Sequence, residues 1–329
     1  MSIMKKYSCD ELLEMFESHL AQADMPAEPE LLYNPIVYSM SNGGKRLRPT
    51  LLLAAYNIFA DDMSKALPAA TAIEMFHNFT LLHDDIMDNA AVRRGRPSVY
   101  AKWGANVAIL SGDAMLIVAY SHLQKCPKEA LPHILEIFNG MALQVCEGQQ
   151  YDMDFESRAK VSVVDYMNMI ELKTSVLLAG AVSIGAVLGG ASDEDCRKLN
   201  RFALELGLAF QLQDDLLDSY GNESELGKKI GGDILEGKKT FLMMQAMSHA
   251  DEPKREILRS TYKDATLTAE EKIARVKAVY DALDIRRITE QQISTRFERA
   301  ISILDSLSVG SEAVAEMRSF ALSLIGRTK

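Results

Sequence analysis

Two stretches of the chain carry carboxylates at a spacing that suits a divalent cation. The first reads LLHDDIMDNAAVRRGRPS and holds Asp84, Asp85 and Asp88; the second reads FQLQDDLLDSYG and holds Asp214, Asp215 and Asp218. In each, the first and last Asp stand four residues apart, so on a helix they share one face. Like charges at that spacing weaken a helix. Each cluster also follows an apolar run that would bring its carboxylates near a core, where unpartnered charge is costly. A hard cation with oxygen ligands offsets both effects. One such cluster reads equally well as a solvated acidic helix end. Two of identical spacing, about 130 residues apart, argue for metal chemistry. Neither has the glycine and extra ligands of an EF-hand loop, so the expected ion is magnesium, its shell completed by water and phosphate oxygens.

Basic residues flank both clusters, as a metal-bridged phosphate ester would require. Arg93 and Arg94 follow the first cluster, and SNGGKRLRP before it carries Lys45, Arg46 and Arg48. After the second come Lys228 and Lys229, then Lys238 and Lys239. Arginine makes bidentate phosphate contacts and lysine supplies a point charge. GGKRLRP lacks the glycine and Lys-Ser/Thr spacing of a Walker A loop, which disfavours NTPase chemistry of that kind.

The elements that must position these groups read as helices. Leu12, Leu13, Phe16 and Leu20 form an apolar stripe after a cap at Ser8, and Pro49 sits where a helix through Leu53 and Tyr56 would begin. A run opening at Leu67 or Pro68 leads through Glu74 and Leu82 to the first cluster. Helical spacing continues over Asn106–Gln124, Lys128–Glu156, Val163–Leu188, Glu194–Tyr220 and, after a glycine-rich break, Ile234–Ala250. Strand signals are nearly absent and no linker divides the chain. The expectation is an all-α protein, residues 1–329 forming a single-domain helical bundle around a central cavity.

Composition narrows the function. Nearly half of the 329 residues are apolar and the net charge is −10, which disfavours nucleic-acid binding but not anions held through a metal. The four cysteines lie far apart with no C-x-x-C, so reduced thiols are expected rather than zinc or disulfides. The polar start has no apolar signal core, and VLLAGAVSIGAVLGGA is short of the roughly 20 residues that span a bilayer. A cytoplasmic protein without stable membrane insertion is expected.

These motifs, in this order, resemble the trans-isoprenyl diphosphate synthases, the family of farnesyl and geranylgeranyl diphosphate synthases. The likeness runs from about Tyr33 to Thr240 through GGKRLRP, HNFTLLHDDIMD with its trailing RRG, Lys173-Thr174, FQLQDDLLD and LGKKIGGDILEGKKT. It implies the type I isoprenoid synthase fold, a homodimer and three magnesium ions between clusters that face one another across a cavity. Asp84 and Asp88 would ligate metal, with Asp214 the main ligand of the second cluster and Asp85, Asp215 and Asp218 in support. Isopentenyl diphosphate would lie on Lys45, Arg48, His77 and Arg94. The allylic diphosphate would lie on magnesium, Arg93, Lys173, Thr174, Gln211, Lys228 and Lys238. His77 precedes Asp84 by two helical turns and Gln211 precedes Asp214 by three residues, so both can share their cluster's face.

The implied reaction is ionisation of the allylic diphosphate, attack by the isopentenyl double bond and loss of a proton. In the family, a bulky aromatic five residues before the first Asp blocks long products. Phe79 stands there, with Thr80 beside it and Phe76 a turn above, which leans toward geranylgeranyl over farnesyl product. Residues near Met115 or Met141 are further candidates for the floor. A longer-chain synthase is the alternative. A terpene cyclase would not need the Lys45/Arg48 site, squalene and phytoene synthases space their Asp motifs differently, and a non-catalytic regulatory subunit predicts a damaged cluster.

Overall fold

A computed structural model describes residues 4–23, 25–222 and 230–325. Apart from one two-residue hairpin, its elements are helices, as the all-α expectation requires. In chain order they are α1 Cys9–Ala21, α2 Glu30–Met40, α3 Leu47–Phe59, α4 Leu67–Met87, α5 Val99–Trp103, α6 Ala105–Leu123, α7 Leu131–Ser157, α8 Val163–Ile170, α9 Val176–Gly189 and α10 Asp193–Tyr220. Helices Gly232–Glu236, Phe241–His249, Glu252–Ser260, Ala269–Ala282, Ile285–Asp305 and Ala315–Ile325 follow.

Local chemistry explains the boundaries. Ser8 accepts from the Glu11 amide while the Glu11 carboxylate accepts from the Ser8 amide, a capping box that starts α1. Pro49 lies in the first turn of α3 and Pro68 in that of α4, where proline's missing N–H is no loss. The run expected as one helix over Val163–Leu188 carries a π-helical turn at Glu171–Ser175. The stretch expected as a helix from Ile234 to Ala250 is broken at Gly237, which has φ +68°.

The chain divides into two compact units. The first comprises the described residues of Met1–Gly140, Gly180–Asn200 and Leu307–Met317; the second those of Met141–Ala179, Arg201–Ser306 and Arg318–Lys329. In the first unit α3 is buried at every position from Pro49 to Ile58. Against it packs the glycine-rich helix α9: a Cβ on Gly185 would fall 2.1 Å from the Leu52 carbonyl oxygen. In the second unit Tyr166, Ile170, Leu212, Leu216, Phe241 and Tyr280 are central to one apolar cluster. By length and composition Ala105–Leu123 and Val163–Gly189 could each cross a membrane, and the second is mostly buried in protein. All four cysteines are unpaired.

Candidate active site

The first acidic cluster ends α4. Asp84 and Asp85 lie in the last turn and Asp88 is the C-cap, so three carboxylates gather at the negative end of a helix dipole, where cations are favoured. The three are not equivalent. Asp85 is buried and accepts from Arg93 Nε at 2.8 Å, with Arg93 Nη2 at 2.5 Å. Burial pushes the Asp85 carboxyl above its ordinary range while Arg93 pulls it down. Asp84 is partly exposed and meets Arg93 at 3.4 Å, and Asp88 is exposed. The reachable pair is the first and last Asp, one helical turn apart.

Arg93 and Arg94 reach this place on the hairpin of Val92–Arg93 with Arg96–Pro97. Its turn, Arg94-Gly95, has φ of 52° and 76°, the left-handed pair that a tight two-residue turn needs. Arg94 donates to the Gly43 carbonyl, and its guanidinium passes 2.7 Å from where a Cβ on Gly44 would sit. Only glycine leaves that space. Where that loop enters α3 the two arginines, Arg46 at the N-cap and Arg48 in the first turn, divide. Arg46 is buried and bonded to Glu17, Glu74 and the Met40 carbonyl, which ties α2 to α4. Arg48 donates to His77 Nε2 at 3.1 Å.

Because arginine can only donate, His77 Nε2 must accept and its proton sits on Nδ1. Burial and the charges of Arg48, Arg94, Arg93 and Arg46 hold His77 well below its ordinary pKa. Burial brings Arg48 down to about 10, still a cation at neutral pH, and its buried Nε has no hydrogen-bond partner. An unsatisfied buried guanidinium N–H beside other arginines suits a bound anion. Lys45 is exposed. A small cavity lined by Asn42, Asn78, Asp85, Arg93 and Arg94 joins the hairpin to α4.

The second cluster lies in the last two turns of α10, within the second unit, and is again unequal. Asp214 is exposed. Asp215 is buried and accepts from the Tyr166 hydroxyl, from Gln211 Nε2 at 3.1 Å and from the Phe241 amide at 3.3 Å. Burial pushes Asp215 up to about 7, against the pull of its Tyr166 hydrogen bond. Asp218 is buried, and its carboxylate accepts from the Asp233 amide at 3.0 Å. Asp215 and Asp218 therefore hold other segments in place, and Asp214 faces outward.

Lys173 and Thr174 sit in the π turn, which two glycines accommodate. A Cβ on Gly148 would lie 2.2 Å from the Lys173 amide nitrogen, and one on Gly207 would lie 2.8 Å from Ser175. Lys173 pairs with Asp152 at 2.6 Å, and Thr174 donates to Gln211 Oε1 at 3.2 Å. A continuous chain of hydrogen bonds thus runs from Thr174 through Gln211 to Asp215 and Tyr166. Lys238 is exposed and pairs with Glu236 at 2.8 Å, whereas Lys239 donates to the Phe155 and Arg158 carbonyls at the end of α7. Lys228 lies outside the described residues.

The aromatic groups expected to limit product length stack along α4. Phe79 lies 5.5 Å from Phe76 and 4.8 Å from His83 between ring centroids. Phe76 continues to Phe138 at 5.3 Å, and Phe138 to Tyr120 at 5.1 Å. Thr80 donates to the His77 carbonyl. Met115 and Met141 are both buried. Sequence reasoning missed Asp152, Tyr166, Tyr120 and Phe138, since each earns its place by a tertiary partner and none stands in a motif.

Among the described residues no three His, Cys, Asp or Glu side chains close around a common point. Within each unit the outward carboxylates, Asp84 and Asp88 in the first and Asp214 in the second, are all-oxygen donors of the kind suited to a hard cation that takes the rest of its shell from water and phosphate, which is magnesium's habit.

The comparisons agree with this chemistry. A family model described as Polyprenyl synthetase matches residues 29–283. Over 220 residues the chain is 45% identical to the geranylgeranyl diphosphate synthase of Methanosarcina mazei, covering 66% of this chain and 68% of that protein. A crystal structure of a geranylgeranyl pyrophosphate synthase matches with a TM-score of 0.93 at 38% identity, over 98% of this chain and 100% of the other. The geranylgeranyl pyrophosphate synthase of Corynebacterium glutamicum, solved with isoprenyl diphosphate and magnesium, matches at 0.82 and 29% identity over 97% of each chain. The helices belong to the all-α type I isoprenoid synthase fold. By the matched model, the relatives and the motifs together, the chain is a member of the polyprenyl synthetase family, a prenyltransferase.

Proposed function

We propose that the chain joins isopentenyl diphosphate head-to-tail to an allylic diphosphate and releases a short trans-prenyl diphosphate, geranylgeranyl ahead of farnesyl. The observation that carries this reading is the inequality within each acidic cluster. In the first unit the outward Asp84 and Asp88 share their helix end with the Arg93-Arg94 hairpin, and in the second Asp214 is outward, while Asp85, Asp215 and Asp218 are spent on structure. Around the first cluster, outward carboxylates and a phosphate-binding cation occur together, as a metal-bridged diphosphate needs.

Asp84, Asp88 and Asp214 would hold magnesium, three ions by the family resemblance, with Asp85, Asp215 and Asp218 in support. When bound, magnesium neutralises the diphosphate and favours its departure. Arg93, Lys173 and Lys228 add positive charge to the same leaving group, and Thr174, Gln211 and Lys238 orient it. The C1–O bond of the allylic substrate breaks and its electron pair leaves with the diphosphate. Lys45, Arg48, His77 and Arg94 hold isopentenyl diphosphate so that its double bond supplies the electrons of the new C–C bond. The proton then lost goes to an oxygen of the departed diphosphate. His77 is no candidate base, because its only lone pair accepts from Arg48. Phe79, with Phe76 and Thr80, stops growth. The working form is a cytoplasmic homodimer that binds no nucleic acid and does not insert in a membrane.

A longer-chain synthase would need the aromatic stack of α4 to open; Phe76 is fully buried and in contact with Phe79 and Phe138, which favours a short product. A regulatory subunit is disfavoured by two intact clusters. The test is diphosphate release with both substrates and magnesium, for the native chain and for Asp84→Asn and Arg48→Gln. Asp84→Asn should abolish turnover at saturating substrate, and Arg48→Gln should raise KM for isopentenyl diphosphate above all. Undiminished turnover in Asp84→Asn would remove the metal assignment.

A further inference from the structure

The hairpin that carries Arg93 and Arg94 has two residue pairs, far too few to hold a position by itself in water. Its placement must come from outside it. Asp85 and Asp84 hold the Arg93 side chain, and Tyr38, in the last full turn of α2, makes several contacts to the returning strand and the helix after it. Its hydroxyl donates to the Pro97 carbonyl at 2.8 Å. Its ring lies under the Arg96 guanidinium at 4.2 Å and the Lys102 ammonium at 4.3 Å. Trp103 meets the ring edge-on at 5.1 Å and 79°, and Lys102 also covers Trp103 at 4.2 Å. Cations over aromatic faces are attracted by the ring quadrupole, and the two rings meet in a favoured T-shape.

The returning strand, Arg96–Pro97, is therefore gripped by one side chain. Across the hairpin Arg96 pairs with Arg93 and Pro97 with Val92, so fixing the returning strand fixes the arginine strand. Four residues after Tyr38, Asn42 donates to the Arg93 carbonyl at 3.4 Å. Directly beyond Asn42 come Gly43, which accepts from Arg94, and then Lys45 and Arg48. The base of the hairpin is closed separately, by Ser98 to the Ala91 and Ala90 carbonyls. Like charge opposes this convergence: burial above all, and then Arg46 and Arg93, hold the Arg94 guanidinium below its ordinary pKa, with Glu74 pulling the other way.

We propose that Tyr38 is a positioning residue: it latches the Arg93-Arg94 hairpin to the segment that runs from Lys45 into Arg48 at the start of α3, so that both segments meet one diphosphate. The latch rests on the reading that Lys45, Arg48 and Arg94 bind isopentenyl diphosphate. Trp103 is the chain's only tryptophan and is part of the latch, so its fluorescence reports the state of the hairpin without reference to turnover.

Three variants test the latch. Tyr38→Phe keeps the ring and loses the bond to Pro97, Tyr38→Leu loses both, and Arg96→Gln removes an exposed cation from the ring without disturbing the core. KM for isopentenyl diphosphate should rise about threefold in Tyr38→Phe and Arg96→Gln and about 30-fold in Tyr38→Leu. KM for the allylic diphosphate and kcat should stay within about twofold, since the Arg93 side chain is held separately by Asp85 and Asp84, and the variants leave Asp84, Asp88 and Asp214 untouched. Isopentenyl diphosphate should change Trp103 emission in the native chain and in Tyr38→Phe, and much less in Arg96→Gln. Arg94→Gln separates the two claims. If Arg94→Gln raises this KM and the Tyr38 and Arg96 variants only lower the melting temperature, the latch is wrong. If Arg94→Gln also leaves KM unchanged, the substrate assignment falls, and the latch with it. Should Tyr38→Leu fail to fold, Tyr38→Phe and Arg96→Gln decide the matter alone.

Discussion

Removing one oxygen atom from Tyr166 isolates what holds the second acidic cluster. Tyr166 is fully buried and its hydroxyl donates to Asp215, a carboxylate with two other donors, Gln211 and the Phe241 amide. Tyr166→Phe leaves the ring and its packing unchanged, so no cavity forms. What goes is a hydrogen bond to a buried acidic group, worth about 1.5–3 kcal/mol. For a chain of 329 residues that loss lowers the melting temperature by about 2–4 °C. The assay is thermal denaturation by circular dichroism in magnesium-free buffer near neutral pH, native and variant side by side. Asp214→Asn is the counterpart: it removes an exposed charge four residues from Asp218 and relieves like-charge repulsion of about 0.2–0.5 kcal/mol. Its melting temperature should hold or rise slightly while turnover collapses. A Tyr166→Phe protein that melts with the native chain would refute the structural role of Asp215. An Asp214→Asn protein that keeps native turnover would refute the division of labour.

Three further outcomes follow from the geometry. Phe79→Ala opens the aromatic stack above Asp84 and should lengthen the product by at least one isoprene unit, read by chromatography of labelled products; an unchanged distribution would remove Phe79 as the floor. Gly148→Ala places a methyl group against the Lys173 backbone, and although alanine favours a helix by about 1 kcal/mol, overpacking of about 3 kcal/mol or more should dominate and lower the melting temperature. His122 is buried, and burial with Lys125 and His19 pushes its pKa down to about 4 from the ordinary 6.5. Below pH 6.5 the unfolded chain then binds a proton that the folded chain refuses. This part of the stability, complete above 6.5, should be lost as pH falls toward 4, and a His122→Gln variant should show a shallower decline in urea midpoint over that window.

Much of the site was legible in sequence because its parts are local. The Ser8–Glu11 capping box, Pro68 near the start of α4 and the carboxylates at that helix's end are all short-range chemistry. The unequal roles within each cluster were harder to see. Nothing in Asp-Asp-x-x-Asp says which carboxylate turns inward; Arg93 decides it in one case, and Tyr166 with the Asp233 amide in the other. Neighbouring cations part company for the same reason. Arg46 meets Glu74 and Arg48 meets His77, while Lys239 caps α7 and Lys238 stays outside. The π turn at Lys173-Thr174 was invisible because it rests on backbone approaching Gly148 and Gly207 from distant parts of the chain. Gly237 broke an expected helix where its Cα faces the Tyr262 ring, a contact that periodicity does not encode.

The central claim is that this chain elongates an allylic diphosphate with isopentenyl diphosphate and stops at a short trans product. Its most direct test is incubation of the purified protein with labelled isopentenyl diphosphate and magnesium, with dimethylallyl, geranyl or farnesyl diphosphate as primer, followed by chromatographic sizing of the products. The account predicts elongation of all three primers, converging on geranylgeranyl diphosphate and abolished by chelation of the metal. Failure to incorporate label with any primer in the presence of magnesium would contradict it.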